Sequence, residues 1–124
     1  MPKTTIANPV SWFEVHTADT ERAKTFYGEL FGWKFNDASP DYSLIGLGDD
    51  APIGGGLMHA LEGHSPMTII CVQVPDVAAT CAKVEELGGK QLVEPTSMPD
   101  GLIFAYVADP DFGILGVFSP PPAA

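Results

Sequence analysis

The chain has 124 residues, of which 45% are hydrophobic and 18% are charged, a size and composition that favour one globular domain and exclude a disordered chain. Its formal net charge is -10, with 6 Lys and Arg against 16 Asp and Glu, which disfavours nucleic acid and anionic membranes as partners. A cationic or neutral small molecule suits this charge better. No apolar run reaches the roughly 18 residues of a membrane span, and no secretory signal is recognisable, so we expect a cytoplasmic protein with two free thiols, Cys71 and Cys81.

The first half of the chain is predicted to form a strand, a helix and three further strands. Alternation over residues 11–17 predicts a strand with Phe13 and Val15 on one face. Asp19 is a good N-cap for the helix, and Gly32 suits its C-terminal end. One apolar helical stripe is expected to face the core, comprising Ala23, Phe26, Tyr27, Leu30 and Phe31. Three strands are predicted to follow, at residues 33–35, 42–47 and 53–58.

The second half repeats this order of elements. Asp76 lies 57 residues after Asp19, and Gly89 lies 57 residues after Gly32. The helix that Asp76 caps is expected to turn Val77, Thr80, Cys81, Val84 and Leu87 inward. The remaining strands are predicted at residues 67–74, 90–93, 102–108 and 114–119. A repeat of this length means that the two halves are built alike.

The predicted fold class is therefore α+β, with two βαβββ modules in a single domain spanning residues 1–124. Module one covers about residues 8–58, a polar linker about 59–66, and module two about 67–119. We expect mixed, mostly antiparallel sheets that form a curved cleft, with the helices outside. Phe13 and Val15, and their counterparts Ile70, Val72 and Val74, would pack on the helices, and the opposite strand faces would line the cleft.

Two sets of residues in these elements resemble the vicinal oxygen chelate superfamily, the group of glyoxalase I, bleomycin-resistance proteins and extradiol dioxygenases. The first is Trp12-Phe13-Glu14-Val15, followed by the helix from Asp19 and the run Leu30-Phe31-Gly32-Trp33. The second is Val74-Pro75-Asp76, with a late Asp109-Pro110-Asp111 turn. The resemblance covers roughly residues 8–119. It is fairly specific for the fold and weak for the activity, because this fold carries many functions.

The resemblance implies a divalent metal held by 2-His/carboxylate-type ligands from four strands, two per module. The matching positions in this sequence are Trp12, Gly56, Ile69 and Gly116, and none of them offers a metal-binding side chain. We therefore predict no metal and no cofactor. Metal-dependent lyase, epimerase and dioxygenase activities are disfavoured, and the question of whether the protein is an enzyme stays open.

The predicted ligand-binding residues lie on the cleft faces of the strands. They are Trp12, Glu14, His16, Gly56, Met58, Ile69, Cys71, Gln73, Gly116 and Phe118. Trp12 could stack on a planar or cationic ligand, or it could fill the cleft as part of the core. Glu14 and His16 could bind a cation or exchange protons, or they could form a hydrated pair at the rim.

Three other features of the sequence have plain structural readings. His59 and His64, near Glu62, are expected to be solvent-exposed, because a loop spacing fixes no metal geometry. The glycines at 54–56 are not a phosphate loop, since no Gly-Lys-Ser/Thr follows, and they indicate close backbone approach or room for a ligand. Cys71 has no evident cationic partner that would activate it, so an inert thiol is expected.

Three functions of different classes remain open. The first is metal-free binding of a small organic ligand, similar to the bleomycin-resistance proteins, which suits a cationic drug. The second is a divergent lyase or isomerase of the glyoxalase type that uses Glu14 and His16 in place of a metal. The third is a non-catalytic dimerisation module. The resemblance also implies a homodimer.

Overall fold

The structure is a computed structural model, and it describes residues 8–122. Within that range it contains eight strands and two helices. In chain order these are β1 (Val10–Thr17), α1 (Thr20–Phe31), β2 (Lys34–Ser39), β3 (Tyr42–Gly46), β4 (Gly54–His59), β5 (Met67–Gln73), α2 (Val77–Glu86), β6 (Lys90–Ser97), β7 (Ile103–Ala108) and β8 (Ile114–Ser119). The predicted α+β class and the repeated β-α-β-β-β order are confirmed.

The chain divides into two compact units. The first unit spans residues 12–70; the second spans 71–124 and 1–11, of which 71–122 and 8–11 are described. In the first unit the strand order is β2-β3-β4-β1, and only the β1–β4 pair is parallel. In the second unit the order is β5-β8-β7-β6, and only the β5–β8 pair is parallel. The sheets are therefore mixed and mostly antiparallel, as predicted.

Both helices begin at the predicted aspartates. Asp19 Oδ1 accepts a hydrogen bond from the Arg22 amide at 3.0 Å, and Asp76 Oδ1 accepts one from the Ala79 amide at 3.0 Å. Each bond satisfies an amide that the first turn of the helix leaves without a partner. At the other end of α1, Gly32 adopts φ 74°, a left-handed conformation that favours glycine.

Each unit has its own apolar core between the helix and one face of the sheet. In the first unit Val15, Ala23, Ile45 and Leu57 are buried, and aromatic side chains including Phe13 pack against them. In the second unit the buried core comprises Val74, Val77, Cys81, Ala105, Val107 and Val117. The helices thus cover one sheet face in each unit. The shared cleft expected from the repeat stays a prediction.

The apolar stripe predicted for α1 is only partly correct. Ala23 is buried and Tyr27 half-buried, whereas Phe26, Leu30 and Phe31 are 57–58% exposed. The reason is that Tyr27 and Trp33 stack at 5.4 Å and close the sheet-facing side of the helix. The remaining apolar side chains of α1 therefore stay at the surface.

Leu87 and Ile70 were wrongly predicted to face the core. Leu87 is 68% exposed, because α2 ends at Glu86 and Leu87 serves as its C-cap. Ile70 is 49% exposed, so it does not contribute to the core.

Strands β2 and β6 run longer than predicted. β2 continues beyond Phe35 to Ser39 because its ladder with β3 passes through an irregularity between Asp37 and Ser39. β6 continues to Ser97 because two further irregularities accommodate its pairing with β7. In the described part of the chain, neither helix has the length and apolar character needed to cross a membrane.

Candidate functional site

The first unit carries a polar row on the sheet face that α1 does not cover. Alternation along β1 directs Phe13 and Val15 toward the core under α1, as predicted. The same alternation directs Trp12, Glu14 and His16 to the opposite face. That face therefore carries an indole, a carboxyl group and an imidazole in consecutive outward positions of one strand.

Hydrogen bonds link these side chains into a chain that also includes Tyr42 of β3. The indole Nε1–H of Trp12 donates to the Tyr42 hydroxyl oxygen at 2.9 Å. The Tyr42 hydroxyl donates to Glu14 Oε2 at 2.8 Å, and His16 Nε2 lies 2.9 Å from Glu14 Oε1. We call this arrangement the Trp12–Tyr42–Glu14–His16 chain. It holds the two oxygens of one carboxyl group between two different partners.

The glutamate and the histidine of this chain are buried. Glu14 is 7% exposed and His16 is 3% exposed. The alternative of a hydrated pair at the rim is therefore wrong. Removing a carboxyl group from water is costly unless hydrogen bonds replace its hydration, and Tyr42 and His16 supply such bonds. The polar row is an ordered part of the structure.

The three consecutive glycines provide the room that this face and the core require. In register, Gly54 lies beside Trp12 and Gly56 beside Glu14. A β-carbon on Gly54 would overlap the Trp12 ring, and one on Gly56 would overlap the Tyr42 hydroxyl group. On the other face, a β-carbon on Gly55 would overlap the Phe13 ring. Aromatic rings thus fill the space over these glycines, an arrangement that neither reading of the run, close backbone approach or room for a ligand, had specified.

Other predicted site residues fall into two groups. In the first unit, Met58 lies on β4 beside His16 and opposite Tyr42, and Ile69 is buried. In the second unit, Cys71 is paired in register with Gly116, and Gln73 with Phe118. These four residues of the second unit form a compact patch on β5 and β8, where Gln73 Oε1 accepts a 3.3 Å hydrogen bond from Ser11.

Sequence reasoning missed the aromatic side chains of the third strand in each unit. Tyr42 completes the hydrogen-bonded chain, and Tyr106 packs near Gly116 and forms an edge-to-face pair with Phe104 at 5.9 Å. The available signal was a tyrosine on a strand whose neighbouring strand carries glycine at a nearby position. Such a pairing marks a ring that lies over bare backbone.

The metal that the superfamily resemblance implies does not fit the residues present. The first expected ligand position holds Trp12, whose only polar group donates to Tyr42. Gly56 and Gly116 have no side chain, and Ile69 has no donor atom. Across residues 8–122, no three His, Cys, Asp or Glu side chains gather in a way that could hold a metal ion. His59 and His64 are exposed, as predicted.

Two further sites show electrostatic effects. The Ser43 hydroxyl and then Lys24 lower the pKa of the Asp37 carboxyl group, to which both donate, at 2.6 and 3.0 Å. The hydrogen bond to Asp37 in turn raises the pKa of Lys24. In α2, burial raises the pKa of the Cys81 thiol, and the charge of Glu85 adds to this effect. Cys71 and Cys81 both remain thiols, as expected, and both are buried.

Two of the pockets lie in the second unit, and neither borders Trp12, Glu14 or His16. The first, of about 390 Å³, lies between α2 and the sheet. The second, of about 460 Å³, lies among Pro9, Gln73 and residues 119–122. Of the predicted site residues, only Gln73 borders either pocket.

Comparisons with known proteins extend the resemblance found in the sequence. The family model for the Glyoxalase/Bleomycin resistance protein/Dioxygenase superfamily matches residues 10–117. CFP32 of Mycobacterium tuberculosis, named as a candidate glyoxylase, is 30% identical over 118 residues, covering 87% of this chain and 44% of that protein. A glyoxylase-like domain-containing protein of Didymella fabae is 32% identical over 96 residues, covering 72% of this chain and 75% of that protein. This chain thus spans less than half the length of CFP32.

Solved structures agree on the fold at low sequence identity. Methylmalonyl-CoA epimerase from Mycobacterium tuberculosis superposes with a TM-score of 0.65 at 16% identity, covering 98% of this chain and 94% of the epimerase. The hypothetical protein BH1468 from Bacillus halodurans superposes with a TM-score of 0.63 at 14% identity, covering 96% of this chain and 99% of that one. At these identities the likeness concerns the fold alone.

Proposed function

This chain belongs to the glyoxalase/bleomycin resistance protein/dioxygenase superfamily, and we propose that it binds a small organic molecule without a metal. The observation that carries the proposal is the Trp12–Tyr42–Glu14–His16 chain. An indole stands at the position where the superfamily resemblance implies a metal ligand, and its N–H group is already engaged by Tyr42. The site thus offers a ligand contact with the Trp12 ring and the Glu14 carboxyl group.

The burial of these polar groups supports a binding role. A buried network of ionisable groups is often no more stabilising than an apolar set of equal volume. Its presence on a sheet face outside the helix-covered core therefore favours a role beyond folding. Binding sites also commonly combine apolar surface with a few fixed polar groups.

The site suits a cationic or neutral ligand. Trp12 and Tyr42 are half-buried, so their rings can contact a ligand directly. Glu14 accepts a hydrogen bond from Tyr42, so a carboxyl group lies next to these rings. The formal net charge of -10 favours the approach of a cation.

Binding in the absence of metal tests this proposal. Protein treated with EDTA would be titrated calorimetrically with two matched pairs of probes: choline with 3,3-dimethylbutan-1-ol, and phenyltrimethylammonium with tert-butylbenzene. We expect saturable binding that Trp12→Ala abolishes, with the cation of each pair bound more tightly. Elemental analysis of protein purified without chelator should show no stoichiometric metal. One equivalent of Ni, Zn, Fe or Mn, lost on mutating this site, would refute the proposal.

A second candidate function is a divergent glyoxalase-type enzyme that uses Glu14 and His16 in place of a metal. The 2.9 Å contact between them favours it, and so do the glyoxylase names of the relatives. An assay with methylglyoxal and glutathione separates the two candidates. Turnover in EDTA that is lost in His16→Gln would favour the enzyme. Turnover that appears only with added metal, well above a metal-only blank, would show that the metal ligands lie elsewhere.

A homodimer is part of the same proposal. Its support in this chain is the exposed apolar face of α1, formed by Phe26, Leu30 and Phe31. Exposed apolar patches of this kind commonly mark protein interfaces. Self-association would also agree with the third candidate function, in which the module serves only to form a dimer.

A further inference from the structure

An open, apolar pocket lies under α2 in the second unit. Its volume is about 390 Å³, within the roughly 300–1,000 Å³ typical of small-molecule sites. Val74, Val107 and Val117 border it and are buried, and Val84 and Leu115, which also border it, are partly exposed. The pocket is therefore apolar at its base and open toward solvent.

Comparison of the two repeats explains why this space is unfilled. In the first unit, Tyr27 of α1 stacks on Trp33 at 5.4 Å, and both rings pack against the core. The residues 57 positions later are Val84 and Lys90, which carry no ring. The space between helix and sheet in the second unit thus lacks the aromatic side chains that fill the corresponding space in the first unit.

The rim of the pocket contains Lys83, which forms no ion pair among the described residues. Thr80 donates its hydroxyl to the Asp76 carbonyl at 2.8 Å, and Asp109 Oδ1 accepts from the amides of Asp111 and Gly113. Among residues 8–122, no ion pair involves Lys83, which also borders the pocket. The Lys83 ammonium therefore stands at the rim of a largely apolar cavity, which Asn8, Thr80 and Asp109 also border.

We propose that this pocket binds a small apolar molecule that carries one anionic group. The apolar body lies against Val74, Val84 and Val117, and a carboxylate or sulfonate pairs with the Lys83 ammonium. The preference for an anion distinguishes this pocket from the site around Trp12 and Glu14. The two proposals can therefore fail separately.

Two fluorescent probes of similar shape test the proposal on the intact chain. 8-Anilinonaphthalene-1-sulfonate carries the anion, and N-phenyl-1-naphthylamine lacks it. Val84→Tyr restores the side chain of the first repeat and should lower the affinity for both probes by about tenfold or more, because the ring occupies the pocket. Lys83→Gln should lower the affinity for the sulfonate by about fivefold, as for a partly exposed ion pair, and leave the neutral probe unchanged. Lys34→Gln, at an exposed lysine of the first unit, is the matched control and should change neither affinity.

A second variant that fills the pocket and a set of methyl resonances complete the test. Val72→Phe fills the pocket from β5 and substitutes for Val84→Tyr if that variant fails to fold. Methyl resonances of Val84 and Val117 should shift on addition of the sulfonate, whereas the Trp12 indole resonance should not. Absence of sulfonate binding, or binding that survives both filling variants, would overturn the proposal. Equal effects of Lys83→Gln on the two probes would overturn the assignment of an anionic ligand.

Discussion

The hydroxyl group of Tyr42 lies where a β-carbon on residue 56 would stand, so Tyr42 and Gly56 are matched in size. This match lets the tyrosine reach across β4 to Glu14 on β1. The glycine is therefore part of the site, although it contributes no polar group of its own. It determines whether the Trp12–Tyr42–Glu14–His16 chain can form.

Gly56→Ala should displace the Tyr42 ring and break this chain. We predict a loss of about 1–3 kcal/mol in the free energy of unfolding, because a methyl group is forced into occupied space. Urea denaturation measures the loss, and the Trp12 indole proton resonance should move as its hydrogen bond to Tyr42 breaks.

Gly28→Ala is the matched control for this prediction. A β-carbon at Gly28 would meet its nearest neighbour, the Trp33 carbonyl oxygen, at 3.5 Å, an ordinary contact, and the residue is helical. This variant should therefore gain up to about 1 kcal/mol from helix propensity. Equal effects of the two alanine substitutions would contradict the assigned role of Gly56.

Glu14→Gln should weaken both folding and cation binding. Glutamine carries no charge, and its side chain has one oxygen that can accept hydrogen bonds where the carboxyl group has two. We therefore expect a loss of about 1–3 kcal/mol in the free energy of unfolding. Choline should lose more affinity than 3,3-dimethylbutan-1-ol, by on the order of 1–3 kcal/mol if the carboxylate is largely desolvated. Calorimetric titration in EDTA measures both affinities.

Glu62→Gln serves as the comparison, because Glu62 is exposed in the turn after β4. Its stability and affinities should stay close to those of the unmodified protein. If Glu14→Gln behaved in the same way, the buried carboxyl group would have no role in binding a cation.

The sequence predicted the backbone plan well because that plan depends on local signals. Asp19 and Asp76 cap helices through their own short side chains, and alternation places Phe13 and Val15 on the core face of β1. These features need only a few neighbouring residues. The repeat then extended the same reasoning to the second unit.

The details of the site required contacts that lie far apart in the sequence. Glu14 and Tyr42 are 28 residues apart, and only the β3–β4–β1 pairing brings them together. The exposure of Phe31 was missed because helical periodicity shows which residues share a face, without showing how much of that face the sheet covers. The pocket beside Val84 was missed because unfilled volume depends on the packing of several strands at once.

The two cysteines should be unreactive in the folded protein. Both are buried and so shielded from reagents, and burial also raises the pKa of the Cys81 thiol, so little Cys81 thiolate is present near neutral pH. We predict slow reaction with a disulfide reagent at pH 8 and rapid reaction of both thiols in urea. Fast stoichiometric labelling of the native protein would contradict the burial.

The raised pKa of Cys81 also predicts a pH dependence of stability. The folded state holds the thiol proton more tightly than the unfolded state does. The resulting stability is present below the usual thiol pKa and is lost as the pH rises through the raised value. Cys81→Ala should therefore flatten the fall in urea midpoint at alkaline pH relative to the unmodified protein. An unchanged slope would show that other groups cause the fall.

Leu30→Gln should weaken self-association if the exposed face of α1 forms a homodimer. Leu30 is 57% exposed, so the substitution should leave the stability of the monomer nearly unchanged. Light scattering across a concentration series measures the dimer, and Glu29→Gln on the same helix is the control. A dimer that survives Leu30→Gln with unchanged affinity would exclude this face as the interface.

The central claim, metal-free ligand binding at Trp12, is tested most directly by the indole N–H resonances of the two tryptophans. The variant Trp33→Phe identifies which of the two indole N–H resonances belongs to Trp12. Phenyltrimethylammonium and tert-butylbenzene are then titrated into the protein in the presence of EDTA. We predict that the Trp12 resonance shifts saturably with both probes, because the Trp12 ring and its bond to Tyr42 form the site, while the Trp33 resonance stays in place. A Trp12 resonance that is unmoved in EDTA, or that moves only after Ni, Zn or Mn is added, would contradict the account.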